Sequence, residues 1–187
     1  MQKPKLLLLD ANVIIEAHLL EIWDALKTAY DIAVPSIVVS EARYFESSSG
    51  RSSGINLKKE IDAAEIRAFE GTVEEIQKAF ASINDVFLKG IDPGEQEAIA
   101  LIAAGRCDGY SFCTGDINAI QAMALLNLED RSVAFETIVN DLKFTAKIRV
   151  EPYLTEKTLH HHLRAGRELR TSGVYDRPAP KTKKRRN

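Results

Sequence analysis

The chain has 187 residues, of which 45% are hydrophobic and 28% are charged, and its formal net charge is -2. This length suits one domain with a substantial core, and the apolar fraction excludes an intrinsically disordered chain. No apolar run reaches the roughly 20 residues that cross a bilayer, and two cysteines are too few for a disulfide framework or a zinc site, so we expect a cytoplasmic protein with no membrane partner.

The charge is unevenly distributed along the chain. Residues 164–187 contain nine Lys or Arg and two Asp or Glu, whereas residues 1–163 contain 16 basic and 25 acidic residues. We predict a globular domain over residues 1–152, a C-terminal helix over 153–170 and a mobile basic tail over 171–187. Such a tail can hold the phosphates of a nucleic acid, and the alternative is a solubilising terminus without a partner.

The first half of the chain is predicted to alternate strands and helices. Four consecutive leucines end at Leu9 and are typical of a strand buried on both faces of a parallel sheet. A helical stripe is predicted over residues 13–26 and a short strand over 32–34. A helix follows from residue 35 onward with Ser36 as its N-cap, and residues 47–54 form a flexible Ser/Gly-rich loop.

The second half continues this alternation. Asp92 and Pro93 have the spacing of an N-cap and a first helical residue, and the helix that they begin is predicted to end at Gly105. Asn118 is predicted to open another helix with capping-box spacing. Helices are predicted over 55–70, 72–88 and 155–169, strands over 110–114 and 132–135, and a candidate fifth strand over 147–150. The alternation indicates a three-layer α/β/α sandwich with a mostly parallel central sheet.

Two acids follow strand ends in this reading. Asp10 comes directly after the first strand, and Asp116 comes after the strand that ends at residue 114. Ligand sites of parallel α/β sheets lie beyond the carboxyl ends of their strands, so both are candidate site residues. The alternative for each is a turn residue or a helix cap.

Two more acids lie on apolar helix faces. Glu41 has only apolar or aromatic residues three and four positions away, so we expect it to face the core. Glu95 has Ala98, Ile99 and Ile102 on its face. Buried carboxylates persist when they are paired or bind a metal. The alternatives are a basic partner for Glu41 and, for Glu95, a capping-box bond back to residue 92.

Four carboxylates in one cleft would repel each other strongly in the absence of divalent cations. Oxygen ligands without His or Cys select Mg²⁺ or Mn²⁺, and these ions support phosphodiester hydrolysis by lowering the pKa of water and stabilising the leaving oxygen. We therefore interpret the four acids as catalytic metal ligands. Three neighbouring polar residues are positioned to hold water, orient a carboxylate or touch a phosphate: Asn12, Thr114 and Asn118.

Three segments resemble PIN domains. Residues 6–15 (LLLLDANVII) resemble the opening strand of that family, residues 34–41 (VPSIVVSE) its second acidic segment and residues 113–118 (CTGDIN) its late Thr-x-Asp element. The resemblance implies a Mg²⁺- or Mn²⁺-dependent endoribonuclease acting on an RNA substrate, often the toxin of a toxin–antitoxin pair and often a homodimer. Asp10, Glu41 and Asp116 match the metal-site acids of the family.

The chain departs from the family pattern at two positions. Glu95 stands where the third acid is usually Asp, as in a subset of the family. Asn118 stands where many members carry another acid, which would weaken a second metal position. One-metal and two-metal mechanisms both stay open. A non-catalytic PIN-like module that binds RNA or protein is the alternative function, and a nuclease acting on DNA is a third.

His160, His161 and His162 form a further cluster of metal-ligating residue types. Three adjacent residues of a helix point in different directions, whereas metal ligands must converge. We therefore expect surface histidines on a basic helix near RNA rather than a metal site.

Overall fold

A computed structural model describes residues 5–46, 52–143 and 148–177. Its central feature is a parallel sheet of four strands in the order β5-β2-β1-β6, and a separate antiparallel hairpin pairs β3 with β4. The strands are β1 (Lys5–Leu9), β2 (Tyr30–Pro35), β3 (Tyr44–Glu46), β4 (Ser52–Gly54), β5 (Arg67–Phe69) and β6 (Tyr110–Cys113).

Helices cover both faces of the sheet. They are α1 (Ala11–Leu19), α2 (Trp23–Ala29), α3 (Val38–Glu41), α4 (Leu57–Asp62), α5 (Val73–Ala79), α6 (Asp85–Leu88), α7 (Pro93–Ala103), α8 (Ile117–Leu125), α9 (Phe135–Asp141) and α10 (Glu156–Ser172). Short 3-10 turns lie at Glu129–Arg131 and Pro152–Leu154.

The side chains of β1 alternate between two cores. Leu7 and Leu9 pack with residues of α1, α2 and α9 on one face. Leu8 packs on the other face with residues of α7, α8 and α10. Successive side chains of a strand point to opposite faces, so a strand covered on both faces must be apolar throughout. This arrangement confirms the predicted α/β fold with a mostly parallel sheet flanked by helices.

Several predicted elements need correction. Residues 132–135 do not form a strand, because only an isolated bridge joins Ser132 to Phe112 and α9 already starts at Phe135. Within the predicted helix over 55–70, α4 ends at Asp62 and the edge strand β5 follows. The predicted helix over 72–88 is broken between α5 and α6, where Asn84 caps a new helix with its side chain.

Some predictions fall wholly or partly outside the described residues. Residues 47–51 of the predicted loop and residues 178–187 of the predicted tail lie outside, whereas residues 52–54 form β4. Lys147 also lies outside, and residues 148–150 are not in a strand. The predicted C-terminal helix is present as α10, which begins at Glu156 and ends at Ser172, beyond the predicted ends at residues 169 and 170. In the described ranges, no helix combines the length and apolar character that spanning a membrane demands.

Candidate functional site

The pairing of β1 with β6 brings Asp10 and Thr114 together. Leu9 is in register with Cys113, and the Asp10 backbone N–H donates to the Cys113 carbonyl at 3.2 Å. Both residues therefore leave adjacent parallel strands at the same edge of the sheet. Both are also buried, with only 4% of Asp10 and 7% of Thr114 exposed.

Glu95 joins this pair from the first turn of α7. Its Oε2 accepts from the Asp92 N–H at 3.3 Å, which is the capping-box bond that the sequence offered as an alternative role. Its Oε1 lies 3.1 Å from the Thr114 hydroxyl, which is also 3.4 Å from Asp10 Oδ2. A hydroxyl carries one hydrogen, so Thr114 cannot donate to both carboxylates at once. Glu95 is thus both a helix cap and a neighbour of Asp10.

Burial makes ionisation of these two acids unfavourable. The pKa of Asp10 is raised to about 6, chiefly by burial and further by the charge of Glu41, although the Ala11 N–H donates to Oδ1 at 2.7 Å. The pKa of Glu95 is raised to about 8 by burial and by the charges of Asp10 and Asp116. A site that raises carboxyl pKa values in this way favours a bound proton or a bound cation.

Asp116 lies at the rim of the site as the N-cap of α8. Its Oδ1 accepts from the Ala119 N–H at 2.8 Å, and its own N–H donates to Thr114 Oγ1 at 3.1 Å. The helix therefore starts at Ile117 rather than at Asn118, which corrects the prediction. Asn118 instead donates from Nδ2 to the Gly90 carbonyl at 2.7 Å, so this amide already holds the loop before α7.

Glu41 is exposed, which contradicts the prediction that it faces the core. The helix α3 is a single turn, so the i±3 and i±4 pattern around Glu41 does not extend over a buried face. The carboxylate points toward the start of α7, where Oε2 would lie 2.9 Å from a Cβ added to Gly94. Partial burial and the charges of Asp92 and Glu97 raise its pKa. Glu41 is thus a rim residue that lies close enough to act on Asp10.

Glu97 is a buried acid that the sequence analysis missed. Its carboxylate accepts from the Ser36 hydroxyl at 2.7 Å, the Ile37 N–H at 2.9 Å and the Gly71 N–H at 2.8 Å. Ser36 therefore bonds to Glu97 and does not cap α3, whose N-cap is Ile37. The same apolar-neighbour test that selected Glu95 would have selected Glu97. Its three donors make it a structural clamp between the strand ends and α7.

Tyr153 lies at the rim of the site, and the charges of two further acids, Glu16 and Glu151, act on it. A Cβ added to Gly115 would lie 2.4 Å from the ring of Tyr153, so the missing side chain of this glycine lets the ring approach. Burial and the charges of Glu16, Glu151 and Asp10 raise the pKa of Tyr153. The region around Asp10 therefore contains more acidic residues than the four that the sequence predicted, because Glu16 and Glu151 also contribute negative charge.

The donor chemistry of the site fits a hard divalent cation. No ion pair among the described residues includes Asp10, Glu41, Glu95 or Asp116, so no Lys or Arg neutralises them there. Across ranges 5–46, 52–143 and 148–177, however, no three His, Cys, Asp or Glu side chains are grouped closely enough to hold a metal ion. Asp10 and Glu95 could bind the cation, and the rim acids would have to come closer to complete its ligands.

The other predicted polar residues have different surroundings. Asn12 is exposed on the first turn of α1, whereas Thr114 contacts both buried acids. Burial and the charge of His161 lower the pKa of His162 on α10, and the charge of Asp116 acts in the opposite direction. The structure thus brings Asp10, Glu95 and Thr114 into contact and places Asp116 at their edge.

Comparison with protein-family models, with curated proteins and with solved structures found no match to this chain.

Proposed function

We propose that this protein is a Mg²⁺- or Mn²⁺-dependent endoribonuclease that hydrolyses RNA phosphodiester bonds. The observation that carries the proposal is the contact of Asp10 and Glu95 with one hydroxyl, that of Thr114. Two buried carboxyls with raised pKa values and no basic partner among the described residues are unfavourable in their charged form unless a cation binds. Oxygen donors at the carboxyl ends of parallel strands are the setting in which such a cation acts on a phosphate.

Each residue has a definite role in this proposal. Asp10 and Glu95 hold the cation, and Glu41 and Asp116 add negative charge from the rim. Thr114 orients the two buried carboxylates through its hydroxyl. The cation, when bound, supplies positive charge for the phosphate and lowers the pKa of water.

The test is RNA cleavage by purified wild-type protein and by the variants Asp10→Asn and Asp116→Asn, each with Mn²⁺ and with EDTA. We expect cleavage by the wild type that EDTA abolishes, and a loss of at least 100-fold in either variant, the order of a lost catalytic group. A variant that cleaves as fast as the wild type would refute the assignment. Parallel reactions with DNA of the same sequence separate a ribonuclease from a nuclease acting on DNA.

A second candidate is a PIN-like module that binds RNA or protein without catalysis. It is favoured by the absence of a group of three ligating side chains within the described ranges and by the engagement of Asn118 with Gly90. Thermal unfolding during a Mn²⁺ titration distinguishes the two. The nuclease should show saturable stabilisation that EDTA reverses, whereas the module should show none.

The resemblance to PIN domains extends the proposal to partners and location. We propose that the reaction takes place in the cytoplasm, with an antitoxin protein as the inhibitor and a homodimer as the active form. Co-expression with the product of an adjacent small gene and sedimentation of the purified protein test these two partners.

A further inference from the structure

A basic groove runs along one side of α10. Its first part is a cavity of about 710 Å³, and its second part, of about 470 Å³, shares Arg164 with the first. Together they are lined by one acid, Glu168, and by six side chains of the same helix that are cationic or can become so: Lys157, His160, His161, His162, Arg164 and Arg167. At 1.5 Å per residue, Lys157 and Arg167 are about 15 Å apart along the helix axis.

The fold fixes this face of α10 toward the outside. Leu159 and Leu163 are buried in the core that α8 shares, and a Cβ added to Gly166 would lie 2.5 Å from the carbonyl oxygen of Gln121. Lys157, Arg164 and Arg167 are exposed between these packed positions. Within the described part of the chain, neither Lys157 nor Arg164 belongs to an ion pair.

The groove adjoins the acidic site. The turn Pro152–Leu154 lies between them, since Pro152 lines the groove while Tyr153 and Leu154 pack against Gly115. His162 lines the groove as well, and the charge of Asp116 acts to raise its pKa. Its Nδ1 is buried, and among the described residues no group forms a hydrogen bond with it. His162 therefore carries an unpaired buried polar atom beside the groove.

We propose that the basic groove of α10 binds the phosphodiester backbone of single-stranded RNA beside the acidic site. This inference rests on the proposed function and names the surface that holds its substrate. The acids repel a polyanion, so an RNA that reaches them needs positive charge close by. Among the described residues, Lys157 and Arg164 provide positive charges that belong to no ion pair, and Arg167 adds a third that also faces Glu129 at 3.9 Å. His162 lies midway between Lys157 and Arg167.

The test is binding of a fluorescein-labelled oligouridylate of about 12 nucleotides, enough to exceed the ~15 Å groove, to the full chain in EDTA. The variant Lys157→Gln/Arg164→Gln removes two charges from the groove. The control Lys58→Gln/Lys59→Gln removes two exposed charges from α4, which packs through Leu57 on the opposite face of the sheet. Both variants have the same formal charge, so net charge alone affects them equally.

Each lost phosphate contact lowers the slope of log K against log salt by about 0.7 for a single strand, so the loss of two contacts should lower it by about 1.4. At 100 mM salt, this change in slope corresponds to RNA binding that is about 20-fold weaker in the groove variant. The control variant should stay within about twofold of the wild type, and unchanged thermal unfolding confirms that both variants fold.

Two outcomes would overturn the inference. One is equal binding by the groove and control variants. The other is tighter binding of polyglutamate than of oligouridylate, which would indicate an acidic protein as the partner. Since binding is measured without metal, it is independent of cleavage. If the groove variant loses RNA binding but the wild type cleaves no RNA, this inference stands and the nuclease proposal is wrong. If the wild type cleaves RNA but the groove and control variants bind it equally, the nuclease proposal stands and this inference is wrong.

Discussion

Replacing Glu95 by Gln should change how the stability of the metal-free protein depends on pH. Burial and the charges of Asp10 and Asp116 raise the pKa of Glu95 from 4.5 to about 8. The folded state therefore keeps this proton over a pH range in which the unfolded chain has lost it. Stability that is fully present below pH 4.5 is lost as the pH rises through 8. Gln has no proton to lose, so the variant should lack this loss.

The size of the effect follows from the two pKa values. A tenfold change in proton affinity equals about 1.4 kcal/mol, so the rise from 4.5 to about 8 corresponds to about 5 kcal/mol over the whole range. Between pH 5 and pH 8 the wild type should lose about 3 to 4 kcal/mol through Glu95. Gln also gives up one of the two carboxylate oxygens that accept from Asp92 and Thr114, which costs about 1 kcal/mol at every pH.

The assay is urea unfolding in EDTA at pH 5, 6, 7 and 8 for the wild type, Glu95→Gln and the control Glu74→Gln. Glu74 is an exposed acid of α5, so its replacement should leave the profile parallel to that of the wild type. The profile of Glu95→Gln should be flatter by the amount given above. If all three profiles run parallel between pH 5 and pH 8, Glu95 does not carry an unfavourable buried charge and the electrostatic basis of the site is wrong.

Three further predictions concern the packing and charge around the site. Gly166→Ala should lower the free energy of unfolding by about 1 to 3 kcal/mol, because its Cβ would overlap a backbone oxygen of α8, whereas the control Gly54→Ala, with nothing within 4 Å, should not. Gly94→Ala would place its Cβ 2.9 Å from Glu41 Oε2 and 3.2 Å from Cγ2 of the buried Val38, so it should displace the end of Glu41 and lower the melting temperature slightly. Calorimetry should show weaker Mn²⁺ binding, and an unchanged affinity would remove Glu41 from the site. Deleting residues 178–187, which include five Lys or Arg, should weaken RNA binding at low salt and leave the melting temperature unchanged, and equal binding would favour a solubilising tail.

The parallel sheet could be predicted because its strands are short and apolar on both faces. The leucines of β1 satisfy two cores at once, and no amphipathic pattern competes with that reading. The errors occur where tertiary contacts decide the structure. Residues 132–135 have strand-forming side chains but only one bridge to Phe112, and β5 exists because it pairs with the edge of β2. Neither contact is encoded in local propensity.

The site was predictable to the extent that it depends on strand ends and helix caps. Asp10 and Asp116 were selected because they follow strand ends, and Glu95 was selected by the apolar residues on its helix face, although the alternative capping-box bond with Asp92 is also present. Glu41 was placed on a buried face because a helical period was applied to a helix of one turn. The burial of Glu97 could have been predicted from its apolar neighbours, but its structural role could not, because its three donors come from Ser36, Ile37 and Gly71, which are far from it in sequence.

The acids of the site differ in what satisfies them, and this difference separates structure from chemistry. Glu97 accepts three hydrogen bonds and needs no further partner to remain buried. Asp10 and Glu95 each accept from one backbone N–H, that of Ala11 and that of Asp92, and they share the Thr114 hydroxyl, whose single hydrogen cannot serve both carboxylates. A fold that supplies three donors to one buried carboxylate could have supplied them to another. The smaller number of donors at Asp10 and Glu95 is therefore the physical reason for proposing that these two residues hold the cation and that Glu97 has a structural role.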